Sequence, residues 1–453
     1  MRFKLPASLQ KTADTLLQNG YQCFLVGGAI RDLLLKRPVK DYDLATNAQP
    51  EVILRLFRRV IPTGLKHGTV TVLTADHQYE ITTFRTEGIY HDHRRPTSVS
   101  WTDDISLDLE RRDFTINALS WDFARQRLFD PFGGQTDLKA KIVRALGKPQ
   151  ERFQEDALRI LRAIRFATEL SFKIEEQTFL ALKQLAYLLK AISAERIRDE
   201  LQKIVLATRP SVGFRLMSEA DILNLILPEL ASCQGVKQPP LHRFDVFEHS
   251  LMALDGVVEA DLVLRLAALF HDIGKPLTQS TNSKGELCFY GHELRGAELC
   301  YQILYRLRFP LKICTEVSHL VRQHMFHYEP NWTDAAVRRF VKRVGQEFIP
   351  RLFTLRKADQ FALQGQKIPS TNLDELAKRI QAILEERPAL GLSDLRINGN
   401  DLIEELHLAE GPVIGIILNF LLESVLDDPA MNNKEKLLSL AQGFYKERLL
   451  KKT

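Results

Sequence analysis

The run Phe24-Leu25-Val26-Gly27-Gly28-Ala29-Ile30-Arg31-Asp32, followed by Asp41-Tyr42-Asp43-Leu44, decides how the first part of this chain folds. Its opening residues read as a buried apolar strand that runs into two glycines and then an amphipathic helix. Glycines let a backbone approach another group closely. The helix N-terminus behind them presents free N–H groups, the usual setting for a phosphate. Arg31, one turn in, adds a fixed positive charge. Asp41 and Asp43 lie in a run with strand character, so their side chains share one face. Two carboxylates on one face hold hard cations such as Mg2+. A Gly-Gly turn or an Asp-x-Asp alone is more often structural. In this order and spacing they set a triphosphate beside a two-metal site, which suits nucleotidyl transfer.

Working outward, 453 residues predict two to four domains. A hydrophobic content of 45% and a charged content of 26% are those of an ordinary globular protein. The five cysteines form no Cys-x-x-Cys pair, which fits a reducing cytosol and excludes a zinc ribbon or disulfide framework. The N-terminus lacks the apolar core of a signal peptide. The longest apolar run, residues 412–422, is too short to span a bilayer. A cytoplasmic protein with no membrane partner is therefore expected. The net charge of +5 permits a nucleic-acid partner without establishing one.

In chain order, residues 8–19 predict a helix and Pro50 to Val60 another, with Pro at its start. Val70–Leu73 and Tyr79–Phe84 predict β-branched strands. Glu80 alternates with apolar neighbours and is either a third carboxylate of the same site or a surface residue. A polar loop is expected from Arg85 to Asp108, with His91 and His93 as solvated residues rather than metal ligands. Asp108–Ala118 predicts a helix that opens with Arg111 and Arg112, two guanidinium groups able to reach a triphosphate. The turn at 130–134 closes this α/β unit near residue 148.

Beyond Pro149 apolar residues recur at helical spacing with almost no strand signal. One helix is expected from Arg152 to Leu170, with Asp156, Arg159, Arg162 and Arg165 along one drifting stripe. A salt-bridged surface gives the same pattern. Beside a triphosphate site, however, a carboxylate that only accepts and a guanidinium that only donates have a sharper use. Cytosine and adenine each show an amine donor beside a ring-nitrogen acceptor, whereas uracil and guanine show the reverse. A fixed Asp–Arg pair thus accepts C and A and rejects U and G without a template. Each buried polar group left unpaired by the wrong base costs on the order of 1–3 kcal/mol.

Together these motifs resemble the bacterial CCA-adding enzymes, the class II tRNA nucleotidyltransferases related to bacterial poly(A) polymerases. The pieces that carry the likeness are 25–32, Asp41-Tyr42-Asp43, 111–118 and Glu155-Asp156-Ala157-Leu158-Arg159. The resemblance implies an α/β head with a mixed polymerase-β-like sheet, followed by an all-α neck, body and tail. The corresponding spans are residues 1–148, 149–235, 236–365 and 366–453. It implies that Asp41 and Asp43 hold Mg2+ and that Gly28, Arg31 and Arg112 bind the triphosphate. Asp156 and Arg159 would read the base, with Arg162 and Arg165 in support. The loop from about Arg85 to Ser100 corresponds to one that helps the family's site switch from C to A. Here it looks intact, which favours full CCA addition from CTP and ATP onto the tRNA acceptor end.

A second constellation follows. His249, the His271-Asp272 pair, His292, His324 and Asp359 sit in successive helical segments, and imidazole with carboxylate suits a divalent metal. The string resembles the HD phosphohydrolase superfamily. That resemblance implies one metal on His249, His271, Asp272 and Asp359, with His292 and His324 helping to hold a second, as Mg2+, Mn2+ or Ni2+. A phosphatase or 2′,3′-cyclic phosphodiesterase activity would follow. Arg338, Arg339, Lys342 and Arg343 cluster at helical spacing, as RNA-phosphate contacts or as a solvated face. Two other readings stay open: an A-adding enzyme or poly(A) polymerase, and an HD phosphohydrolase whose head only binds RNA. A monomer or homodimer fits either.

Overall fold

A computed structural model describes residues 3–65, 68–88, 99–239, 243–364, 371–386 and 388–449. The chain divides into two compact units. The first comprises Met1–Val236, Val258–Arg265 and Gln302–Cys314, and the second comprises Lys237–Val257, Leu266–Tyr301 and Thr315–Thr453.

The first unit opens with the helix Ala7–Gln18, and nine of its strands among the described residues lie before residue 130. These are β1 (Cys23–Val26), β2 (Asp43–Thr46), β3 (Val60–Gly64), β4 (Thr69–Leu73), β5 (Gln78–Thr83), β6 (Arg85–Glu87), β7 (Val99–Trp101), β8 (Ser120–Asp122) and β9 (Arg127–Phe129). Seven of them form one mixed sheet in the order β3-β4-β5-β2-β1-β8-β9, and β6 pairs β7 separately. All four residues of β1 are buried, as its apolar run and central position require. Strand β5 alternates instead: Tyr79 and Ile81 enter the core while Glu80 faces outward. Parallel pairing of β2 with β5 puts Glu80 opposite Asp43. Antiparallel pairing of β1 with β2 puts Val26, and the glycine turn beyond it, on the other flank of Asp43. The sheet therefore builds the site at one end of its central strands.

Helices dominate from Pro149 on; the short strands Lys173–Ile174, Ser280–Thr281 and Leu287–Cys288 are exceptions. In the second unit Val246–Gly256 packs along Ile349–Gln364. A Cβ on Gly256 would sit 3.3 Å from the Cα of Ala358, so the small residue sets how closely these helices approach. Closer still, a Cβ on Gly274 would lie 2.2 Å from the carbonyl oxygen of His292. This glycine brings the turn after His271-Asp272 onto the start of His292–Arg306. No helix among the described residues is long and apolar enough to cross a membrane.

Several expectations are corrected. The helix from Pro50 ends at Leu56, and Val60 instead starts the strand β3. The region after Arg85 is not all loop, since it holds β6, β7 and the helix Ile105–Glu110. Arg111 and Arg112 follow the end of that helix rather than opening one; Asp104 is its N-cap, accepting from Ser106 N at 2.8 Å. The helix expected over 152–170 is two, Pro149–Glu155 and Leu158–Leu170, broken at Asp156 in extended conformation. His91 and His93, with most of the loop around them, lie outside the described residues.

Candidate active sites

A cavity of about 670 Å³ in the first unit is lined by Gly27, Gly28, Arg31, Asp41, Asp43, Arg112, Asp156, Arg159, Arg162 and Arg165, among others. Residues from the glycine turn, the Asp-x-Asp strand and the helix Leu158–Leu170 thus face one space. Gly27 has φ +72, and a Cβ there would lie 2.9 Å from Arg112 Nη1, so only glycine fits between that guanidinium and Asp43. Burial, then the charges of Glu80 and Asp41, push Asp43 up to about 6 against the pull of Arg112. Three like charges held together this way are the field that a divalent cation relieves.

The basic groups are not equivalent. Arg31 is buried: Nη1 donates to Asn117 Oδ1 at 2.9 Å, while Nε and Nη2 each donate to Asp32 at 3.0 Å. Asn117 donates in turn to Asp113, which accepts from Arg162 at 2.8 and 2.6 Å. Arg31, Arg162 and Arg165 all lie over the Phe166 ring, at 5.0, 5.4 and 3.9 Å from its centroid. Arg165 is paired with both Glu200 and Glu169, so its charge is neutralised within the protein. Among the described residues Arg112 has one ion pair, to Asp108 at 3.6 Å from its Nη2, and its buried Nε has no hydrogen-bond partner there. Of this set it is the guanidinium with most capacity left for a phosphate.

Burial alone would raise the Asp113 carboxyl, but Arg162 and Asn117 outweigh it and bring it from the usual 3.8 to about 2. A depressed carboxyl contributes stability that is present in full above 3.8 and is lost as pH falls through about 2. The contribution is about 2 kcal/mol. Asp113→Asn is expected to lower stability by about that much and to flatten the acid limb of a Tm-against-pH profile between about pH 4 and 2.

Asp156 accepts from Arg196 Nη2 at 3.0 and 3.2 Å and from Leu158 N at 3.1 Å. Arg159 donates to Glu155 at 2.7 Å and to the carbonyls of Arg152 and Arg111. The two share the cavity, but each is fixed by partners other than its mate. Arg196, Asn117 and Asp113 line the same cavity, and the sequence reading did not single them out.

In the second unit six side chains converge. His249 Nε2 lies 3.0 Å from Asp359 Oδ1, 3.2 Å from His271 Nε2 and 3.4 Å from Asp272 Oδ2. The other oxygen of Asp272, Oδ1, lies 3.3 Å from His292 Nε2 and 3.8 Å from His324 Nε2. Nδ1 of His271, His292 and His324 lies 2.8, 2.7 and 2.6 Å from the backbone carbonyls of Ala268, Phe289 and Val321. Donation from Nδ1 fixes the tautomer and turns an Nε2 lone pair inward, as metal ligands require. The Nε2 atoms of His292 and His324 are buried without hydrogen-bond partners. Burial, then the charge of His271, pushes His324 down to about 3, so it is the neutral imidazole that a metal binds. Two triads, His249-His271-Asp272 and Asp272-His292-His324, have ligand atoms within 4.8 Å of one another. This donor set fits one or two divalent ions sharing Asp272. The carboxylates Asp41, Asp43 and Glu80 are not grouped so tightly.

Three family models match in sequence: the poly A polymerase head domain over residues 23–144, a probable RNA and SrmB-binding site of polymerase A over 171–234, and the HD domain over 242–363. A CCA-adding enzyme of Streptococcus uberis is 38% identical over 387 residues, spanning 80% of this chain and 94% of the relative. One from Ligilactobacillus salivarius is 31% identical over 439 residues and 96% of each chain. The chain belongs to the CCA-adding enzyme family. The crystal structure of the Bacillus stearothermophilus CCA-adding enzyme in complex with CTP matches the fold over 98% of both chains, with a TM-score of 0.75 at 28% identity. A Thermotoga maritima CCA-adding enzyme complexed with tRNA_CCA, at 20% identity and a TM-score of 0.56, shares the fold.

The basic cluster of the second unit is largely consumed internally, unlike a row of free RNA contacts. Arg338 is buried and donates to the carbonyls of Leu426 and Asp427. Arg339 pairs with Glu423 and Asp427, and Lys342 pairs with Glu423.

Proposed function

We propose that this member of the CCA-adding family adds C, C and A to the 3′ end of tRNA, taking CTP and ATP without a template. The observation that carries this reading is the single cavity whose lining includes both the Asp41–Asp43 carboxylates and Asp156 with Arg159. Arg112, Arg31 and Gly28 bind the triphosphate. Asp156, held by Arg196, accepts the exocyclic amine of C or A, and Arg159 donates to the neighbouring ring acceptor. Arg162 supports Asp113 and the base, whereas Arg165 braces the helix through its carboxylate partners. Asp41 and Asp43 would hold Mg2+, with Glu80 on their open flank; bound there, the metal supplies charge stabilisation for in-line attack on the α-phosphate. Head, neck, body and tail are divided as residues 1–148, 149–235, 236–365 and 366–453, in a cytoplasmic protein.

We further infer that the histidine–aspartate cluster is a working phosphohydrolase. His249, His271, Asp272 and Asp359 would hold one divalent ion, and His292 and His324 with Asp272 a second. Such ions supply a nucleophile from bound water.

The test incubates tRNA lacking CCA with each labelled nucleotide alone. Incorporation from CTP that stops after two residues, followed by a single A when ATP is added, is expected; elongation from ATP alone overturns the reading. Asp156→Ala is expected to admit UTP and GTP at about ten- to a hundredfold higher relative efficiency, because the wrong base no longer strands a half-buried carboxylate that can only accept. Competition assays with paired nucleotides measure it.

A further inference from the structure

A second cavity, also of about 670 Å³, opens from the first and shares with it Gly28, Arg31, Asp41, Asp43, Arg165 and Lys203. Its far wall carries Arg37 and Lys40, which no step above uses. Most acids on this wall are already engaged: Asp32 with Arg31, and Glu169 with Arg165. Arg37 is anchored by donating to the backbone carbonyl of Glu169 at 2.9 Å, a contact that leaves its charge uncompensated. Lys203 is half exposed and, among the described residues, makes one ion pair, a long 3.4 Å contact to Glu200. Lys40 is exposed, with no ion pair among the described residues. The cavity thus carries surplus positive charge and touches the reacting centre at Asp41 and Asp43.

The sheet order says which reactant lies on this side. Asp43 sits between β5, which presents Glu80, and β1, which ends in the glycine turn. Phosphoryl-type transfer holds the attacking and leaving oxygens roughly in line, on opposite sides of phosphorus. The Gly28–Arg31 flank continues into the second cavity, whereas Glu80 lines neither cavity and is exposed. A nucleotide with its base at Asp156 and its phosphates at Gly28 and Arg31 therefore has its leaving group directed toward Lys40. The attacking hydroxyl is left the Glu80 side.

We propose that the second cavity is the departure site for inorganic pyrophosphate, with Lys40 and Lys203 as its anion-binding side chains and Arg37 at its mouth. This rests on the nucleotidyl-transfer reading above. In the step it serves, the RNA 3′-oxygen bonds to the α-phosphorus and the bond from that phosphorus to the oxygen bridging to the β-phosphate breaks. The electron pair leaves on pyrophosphate and the hydroxyl proton passes to solvent. A cationic exit stabilises charge developing on the leaving group, and the same cations hold pyrophosphate for the reverse reaction.

The test uses the full chain with inorganic pyrophosphate as probe. Lys40→Ala and Lys203→Ala are each expected to raise the product-inhibition constant of pyrophosphate about tenfold, the loss of one charge-assisted contact. They should slow pyrophosphorolysis of tRNA ending in CCA to a similar degree, with the KM for tRNA unchanged and Lys40→Arg restoring the wild-type constant. Calorimetric titration with pyrophosphate should show the same ranking. An unchanged inhibition constant in both variants overturns the proposal. So does a raised KM for tRNA with unchanged pyrophosphate inhibition, which would give the cavity to the RNA backbone. If the wild type transfers no CMP at all, the transferase reading fails and this proposal falls with it; transfer with unaltered pyrophosphate constants sinks this proposal alone.

Discussion

Asp43→Ala is expected to reduce transfer of CMP and AMP to tRNA by on the order of a thousandfold or more, without unfolding the protein. The two halves of that expectation come from one observation. Asp43 stands in the repulsive field of Glu80 and Asp41 and is partly buried, which pushes its carboxyl up to about 6. A group held against its own electrostatics is not there for stability, and removing it relieves the fold of a buried like charge. The Tm of the variant should equal or exceed that of the wild type. The catalytic loss follows from the role. A metal-ligating carboxylate supplies several kcal/mol of transition-state stabilisation, at about 1.4 kcal/mol per decade of rate. The phosphohydrolase activity proposed for the cluster in the other compact unit serves, in the same preparation, as the internal control. If Asp43→Ala still transfers nucleotides at more than a tenth of the wild-type rate, the head assignment is wrong.

What was legible in the sequence was local. Gly27-Gly28 after an apolar strand, and Asp41-x-Asp43 in the next, are short-range patterns whose backbone consequences do not depend on distant partners. The histidines were legible singly, because each lies in or beside a helix with a clear apolar pattern: His271 and His324 directly follow helices, His292 opens one, and His249 sits one turn into Val246–Gly256. What was missed has physical reasons. Strand β3 contains Pro62 and exposes Ile61 at the sheet's edge, so it lacks the buried alternation that marks a strand. The break at Asp156 did carry a signal: an Asp just before an apolar run can satisfy a free N–H at a helix start, and here its carboxylate accepts from Leu158 N, the first residue of the second helix. The periodic arginines beyond it hid the break. Arg111 and Arg112 follow a helix rather than open one, because Asp104, four residues before Asp108, is the actual cap. Arg196 was out of reach, since its pairing with Asp156 spans 40 residues and only the tertiary fold makes it. The same holds for Asn117, which bridges Arg31 and Asp113.

The second large effect is expected at Asp272. Its two oxygens face different ligand sets: Oδ2 lies 3.4 and 3.3 Å from His249 and His271, and Oδ1 lies 3.3 and 3.8 Å from His292 and His324. One carboxylate thus serves both halves of the cluster. Burial pulls His271 down, but Asp272 and then Asp359 prevail and lift it to about 10, so a divalent ion would have to take the place of the proton at its Nε2. Lys275 donates to the same carboxylate at 2.6 Å, so a buried ammonium also depends on it. Asp272→Asn keeps the shape and removes the charge. Metal content, measured by elemental analysis after loading and dialysis, should drop below one ion per chain from the wild-type one or two. Hydrolysis of a 2′,3′-cyclic nucleotide should fall by on the order of a thousandfold. Asp359→Asn makes the instructive contrast, because Asp359 faces only the His249 and His271 side, 3.0 and 3.6 Å from their Nε2 atoms, and is already tied to Arg356. Its loss should leave the His292 and His324 side able to retain an ion. Equal metal loss in the two variants would mean that Asp272 does not bridge, and full hydrolysis in Asp272→Asn would mean that the cluster only packs. CMP incorporation into tRNA should persist in both variants, since Asp41 and Asp43, the carboxylates proposed to serve it, belong to the first unit.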